Sequence, residues 1–294
     1  MNKYVLISIL SIILILPIAS ASNVISVQNS KPQKIVSNGT FTHTVFVESG
    51  TMTTCPYCVT AANQLFSIYN SGDLDFHYVA LVWDEGNLKI RGRLTDLGVS
   101  SVPDVFFDGK FKHLVGAQST ETSYRNAITQ AGSRDVPDID IDVSVQWQGG
   151  GKLEITVTVN NNELEKYNGH LRTFVVEKVS RWNDNSGNPY HYAAIDIPID
   201  KDLLTRTRSK PTADTYVFTK KWNGALMGFG DITIENTMVV AAVYDKTTDY
   251  AVETTVGEPV VYSSHSKIPR ILQLNILEKL AGNYQPLEKL LNLI

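Results

Sequence analysis

The stretch FTHTVFVESGTMTTCPYCVTAANQLFSIY occupies residues 41–69. Its first seven residues, Phe41 to Val47, alternate side chains as a strand does. A polar loop, Glu48 to Thr54, leads to Cys55-Pro56-Tyr57-Cys58. From Val59 to Tyr69, residues Ala61, Ala62, Leu65, Phe66 and Ile68 supply an apolar face at helical spacing. The two cysteines, in a chain of 294 residues, therefore sit between a strand and the start of a helix.

That placement has chemical content. Thiol–disulfide exchange needs a thiolate nucleophile and a second thiol close enough to resolve the mixed disulfide. Both come from one helical turn in a Cys-x-x-Cys. The unsatisfied N–H groups and dipole of the helix N-terminus favour the thiolate of the first cysteine. Two other uses of the pair stay open. A purely structural bridge would remove little chain entropy, because its loop is short. A two-thiolate copper(I) site suits soft ligands. Structural zinc needs four ligands and finds no second cysteine pair. No metal or cofactor is assigned beyond a redox-active Cys55–Cys58 disulfide.

Working outward, Asp75 to Trp83 is an almost unbroken apolar run, the pattern of a central strand. Leu88 to Leu97 reads as a short helix stopped by Gly98. Val102-Pro103 precedes a run from Asp104 to Phe107, and Asp108-Gly109 separates it from Lys110 to Leu114 as a hairpin turn. Thr120 to Ala131 closes the unit as a helix ending at Gly132. Gly132 to Pro137 reads as a linker. Beyond it Ile139–Trp147 and Lys152–Val159 alternate, and further strands are expected near 171–177, 192–197, 214–221, 238–244 and 250–256. About seven short strands in succession predict an antiparallel sandwich of immunoglobulin-like architecture.

On Cys55-Pro56-Tyr57-Cys58, on Val102-Pro103 before a strand and on the order of elements between them, residues 41–133 resemble a thioredoxin-fold thiol-disulfide oxidoreductase. The dipeptide Pro56-Tyr57 is the one glutaredoxins carry. The resemblance implies that Cys55 is the nucleophile and Cys58 the resolving thiol. It implies a cis bond before Pro103, with Val102 pairing with a substrate peptide beside Pro56 and Tyr57. It also implies an acid near the end of the first strand, which Glu48 would supply. Thr54 and Gly116-Ala117 depart from what the family has at the corresponding places.

The N-terminus gives an address. Met1-Asn2-Lys3, an apolar run from Tyr4 to Ile18 and Ala19-Ser20-Ala21 form a signal-peptide pattern, and the run is short for a membrane span. The body is expected to be extracytoplasmic, secreted or at the cell surface, where disulfides persist. With 26 basic and 30 acidic side chains and a formal charge of −4, the chain has no basic footprint for nucleic acid.

The expected layout is a signal peptide at 1–21 and a lead-in at 22–40, then an α/β thioredoxin-like domain at 41–133. An all-β immunoglobulin-like sandwich at 137–264 and an amphipathic helical tail at 265–294 follow. The tail suits packing on the parent domain, self-association or attachment to a membrane surface. Asp138, Asp140 and Asp142, and the segment Asn183 to Gly187, read first as a solvated strand face and a polar turn, with calcium the lesser reading. Arg181, Trp182, Tyr190, His191 and Tyr192 are either a recognition surface or sandwich core. The expected activity is exchange of disulfides with cysteines of other exported proteins. The alternative is a surface interaction or adhesion module on a non-catalytic thioredoxin-like scaffold.

Overall fold

A computed structural model of the chain describes residues 34–36, 39–163, 165–203 and 214–261. The expected signal peptide and helical tail lie outside these residues, as does most of the expected lead-in. Two short strands, β1 (Lys34–Val36) and β2 (Gly39–Phe41), pair with each other and precede β3 (Val45–Thr51). Then come α1 (Pro56–Ser71), β4 (Phe76–Val82), α2 (Leu88–Leu97), β5 (Asp104–Phe107), β6 (Lys112–Val115) and α3 (Thr122–Gly132). The remainder is all strand: β7 (Ile139–Gly149), β8 (Lys152–Asn161), β9 (Gly169–Asn183), β10 (Pro189–Asp196), β11 (Asp200–Asp202), β12 (Asp214–Asn223), β13 (Thr237–Asp245), β14 (Tyr250–Gly257) and β15 (Pro259–Val260).

The expected fold class does not hold. An α/β thioredoxin-like layer beside a separate immunoglobulin-like sandwich would leave three sheets, with none shared between the two domains. The chain instead builds one nine-stranded mixed sheet in the order β14-β13-β9-β10-β4-β3-β5-β6, with β11 on β9, and a four-stranded sheet β12-β8-β7-β15. The join is a single parallel bridge, Ala193 of β10 to Ala80 of β4. Strands outnumber helices fifteen to three among the described residues.

The physical reason lies in β9 and β13. A sandwich strand with one wet face alternates polar and apolar residues. In β9, Leu171 and Val175 face the four-stranded sheet, while Phe174 and Val176 enter the core that contains α2. In β13, Val239, Ala241 and Val243 take the first side and Val240, Ala242 and Tyr244 the second. Both strands are buried on both faces. Phe46 of β3 packs 5.4 Å from Phe174 and 6.3 Å from Tyr244, ring centre to ring centre, so one core serves both halves of the chain.

The sheet also curls. Its edge strand β14 returns to the turn after β5, where Ala251 N–H donates to the Asp108 carbonyl at 3.1 Å and Lys110 N–H to the Asp249 carbonyl at 3.3 Å. That contact explains a second difference. The expected two-residue hairpin at Asp108-Gly109 is a four-residue connection, 108–111, with Phe107 opposite Lys112.

A third difference concerns β3. The sequence predicts a strand over 41–47 and a loop from Glu48, whereas β3 runs from Val45 through Thr51 with every residue buried. Small polar residues Ser49 and Thr51 resemble loop, yet β3 lies between parallel β4 and antiparallel β5, with core on both faces. Glu48 is thus in mid-strand.

On the surface of β9 and β11, His170 donates from Nδ1 to Asp202 at 2.7 Å and from Nε2 to Asp200 at 2.5 Å. A ring with both nitrogens against carboxylates is satisfied only when doubly protonated. The hydrogen bond to Asp200 accordingly raises the His170 pKa above its ordinary 6.5. A raised folded value means stabilisation that is complete below the unfolded value and fades as pH rises through the folded one. Asp200 behaves oppositely. Burial alone would raise its pKa, but His170 and Arg172 bring it down to about 2, so its contribution is lost only as pH falls towards that value. Urea-unfolding midpoints are expected to decline just above pH 6.5 in wild type, with the decline flattened in His170→Asn.

Candidate functional site

β3 ends at Thr51, and the backbone turns through Met52–Thr54 into α1. Cys55 is the N-cap residue, in extended backbone conformation, and Pro56 follows where a missing N–H costs nothing. Cys55 and Cys58 are joined in a disulfide with Cα atoms 5.3 Å apart. The Cys55 sulfur accepts the Cys58 N–H at 3.1 Å, as a capping oxygen would. The two sulfurs differ in access. Cys55 is half-buried, whereas Cys58 is 1% exposed.

Four further residues expected at the site surround the pair. Pro56 and Tyr57 are exposed beside it, and Tyr57 reaches 69%. The Val102–Pro103 bond is cis. The Val102 carbonyl lies 3.7 Å from the Cys55 sulfur. The Gly116 N–H donates to the Pro103 carbonyl at 2.7 Å and holds this edge in place.

Glu48 belongs to a different network. Along β3, Val45 and Val47 pack in the core under α1 and α3, while Phe46 packs in the core containing α2. By strand alternation Glu48 shares the side of Phe46. Its carboxylate accepts Arg93 Nε at 2.7 Å, Arg93 Nη2 at 2.6 Å and the Tyr244 hydroxyl at 3.2 Å. The polar residues that β3 turns towards α1 are Ser49 and Thr51, which line a small cavity with Ala62, Leu65 and Tyr190.

The cysteine loop is held by Asp84, which sequence reasoning passed over, and by Tyr190, which it read only as recognition surface or sandwich core. Asp84, just beyond β4, accepts from Thr53 N–H at 3.0 Å and from Thr53 Oγ1 at 2.5 Å. From the other half of the chain, Tyr190 donates its hydroxyl to the Met52 carbonyl at 2.8 Å and accepts from Thr51 Oγ1 at 2.9 Å. Burial pushes the Tyr190 pKa up, keeping the hydroxyl a donor. No motif marks either residue. Asp184, at the weighed polar turn, uses its carboxylate on the N–H groups of Ser186 and Asn188. Asp138 and Asp140 accept from the Asn162 side chain.

No protein-family model matches the chain, and no curated protein matches it. Solved structures do. HBP35 of Porphyromonas gingivalis superposes with a TM-score of 0.57 at 13% identity, over 77% of this chain and 80% of that one. A protein from Agrobacterium tumefaciens gives 0.41 at 13% identity, over 73% and 93%. A domain of the outer membrane lipoprotein Omp28 from Porphyromonas gingivalis gives 0.27 at 16% identity, over 44% and 96%. At this identity the first likeness speaks for the fold alone, and the other two carry no argument.

Proposed function

We propose that the protein exchanges disulfides with cysteines of other exported proteins, acting outside the cytoplasm. The observation that carries this reading is the asymmetry of the pair. Cys55 is only half-buried and caps α1 through its sulfur, while Cys58 is buried one turn on. In the reduced protein the same helix N-terminus favours a thiolate at Cys55. That thiolate attacks one sulfur of a substrate disulfide, forming a mixed disulfide and expelling a substrate thiolate. Cys58, as thiolate, then attacks the Cys55 sulfur, closes the intramolecular disulfide and releases the second substrate thiolate. Two electrons pass to the substrate. The oxidised form runs the same steps backwards on a substrate dithiol. The signal-peptide pattern supports the location, where disulfides persist. The exposed Tyr57 and the Val102 backbone are the surfaces a substrate peptide would meet.

The test is trapping. Cys58→Ala leaves the nucleophile without its resolver and is expected to accumulate mixed disulfides with a reducible test protein such as insulin. Cys55→Ser is expected to abolish both trapping and turnover. A Cys55–Cys58 bridge that resists mild dithiol reductants in the folded chain would overturn the reading and leave a non-catalytic scaffold.

A further inference from the structure

Three consecutive residues of β10 touch the redox helix and its loop. Tyr190 holds Thr51 and Met52, as described above. His191 stacks on Phe66 of α1, with ring centres 3.5 Å apart and planes 4° from parallel. Tyr192 meets Tyr69 of α1 at 4.9 Å and Tyr78 of β4 at 5.1 Å. In a regular strand neighbouring side chains point to opposite faces, so no three in succession should serve one helix.

Two irregularities make it happen. The pairing of β10 with β9 shifts register between Pro189 and His191. Tyr192 has φ +56°, a left-handed conformation that is an outlier for a bulky residue and persists only when its surroundings enforce it. β10 pairs again at Ala193, opposite Glu177 of β9 and Ala80 of β4, before a second register shift between Ala194 and Asp196. The strand is therefore bent towards the disulfide from the half of the chain that carries no cysteine.

The innermost contact is a relay of hydrogen bonds. Thr51 donates to Tyr190, Tyr190 donates to the Met52 carbonyl, and that carbonyl also accepts the Cys55 N–H at 3.2 Å. We propose that Tyr190 is a positioning residue for the exchange, fixing the Met52–Cys55 turn so that the Cys55 sulfur stays on the Cys58 N–H. The inference rests on the exchange reading above. Without the tyrosine hydroxyl the turn loosens, the capping contact weakens and the Cys55 thiolate loses part of its support.

The experiment uses the full chain with Tyr190→Phe, which keeps the ring and deletes the hydroxyl. After reduction, the rate of Cys55 alkylation by iodoacetamide is followed against pH. The midpoint is expected to move up by about 0.5–1 pH unit, equivalent to a roughly three- to tenfold slower reaction at acidic pH. A merely structural tyrosine would lower the urea midpoint and leave the alkylation profile where it was, and that result overturns the proposal. Should Tyr190→Phe fail to fold, Thr51→Val carries the test. It removes one donor and is expected to shift the profile the same way by less; an unmoved profile overturns the proposal there too. The alkylation profile does not depend on any protein substrate. A wild-type chain inert towards insulin, with a profile that still responds to Tyr190→Phe, would sink the exchange reading and leave the positioning intact.

Discussion

Arg93→Met is expected to destabilise the fold by about 3–5 kcal/mol, because it strands the Glu48 carboxylate in the protein interior. The two side chains are 1% and 0% exposed and meet through two hydrogen bonds in fork geometry. Burial alone would pull the Arg93 pKa down, yet the facing carboxylate more than offsets this and holds it above its ordinary value. The guanidinium also lies over the Tyr244 ring, 4.9 Å from its centre. Folded proteins are stable by only about 5–15 kcal/mol, so the loss would be visible as a large fall in the urea midpoint. The pair itself need not be worth that much. Replacing both charges with Met is expected to recover most of the loss, leaving a cost of about 1–3 kcal/mol from the unpartnered Tyr244 hydroxyl. Adding Tyr244→Phe should recover that as well. An Arg93→Met chain within about 0.5 kcal/mol of wild type would show that Glu48 does not depend on Arg93, against their shared burial in the core.

The elements of the first half were legible because each carries a local signal. Asp75 to Trp83 announces a central strand by composition, Gly98 stops α2 in a left-handed conformation, and the cysteine pair marks the start of α1. The architecture was not legible, because it depends on one bridge between Ala193 and Ala80 that no pattern encodes. A partial signal existed all the same. Met238 to Tyr244 is an unbroken apolar run, and such runs belong to strands covered on both faces rather than to an immunoglobulin-like sheet with a solvated side.

Within the site, the Cys-x-x-Cys spacing kept the cysteines, Pro56 and Tyr57 on one turn, whereas Val102 and Pro103 were set beside them only by the resemblance to the thioredoxin fold. For Glu48, the acid that the resemblance implies near the end of the first strand, strand parity decides the side it takes. If Val45 and Val47 lie under α1, Glu48 must lie on the far face, and the residues of β3 that face α1 are Ser49 and Thr51. Tyr190 was named as recognition surface or core, but its contact with the cysteine loop was beyond reach for another reason. It is separated from Thr51 by 139 residues, and the bend that delivers it depends on a left-handed Tyr192 that single-sequence patterns do not show.

Asp108→Ala is expected to cost about 3–5 kcal/mol as well, by opening the place where the curled sheet closes on itself. Asp108 sits in left-handed backbone at φ +47°, a conformation that aspartate tolerates better than alanine. Its main chain joins two strands, donating to the Phe46 carbonyl at 2.7 Å and accepting from Ala251 N–H. Its carboxylate is fully buried and takes Phe46 N–H at 2.9 Å, His43 Nε2 at 2.8 Å and Arg134 Nη2 at 2.8 Å. Arg134 continues the closure. It donates to the Ala251 carbonyl and lies over the rings of Phe111 and Tyr250 at 4.8 and 5.5 Å, so the expected linker after α3 is pinned to β14. Removing the carboxylate leaves a buried backbone N–H and a buried histidine without their acceptor and takes from the half-buried Arg134 its ion-pair partner. Asp108→Asn keeps one acceptor oxygen and the backbone preference, and is expected to lose markedly less. Hydrogen exchange separates closure from general weakening. If Asp108 closes the curl, the amides of β14 lose protection first in Asp108→Ala, while those at the centre of β3 and β4 follow global unfolding. Uniform loss across all strands, or a cost below about 1 kcal/mol, would mean that β14 is held by its pairing with β13 alone.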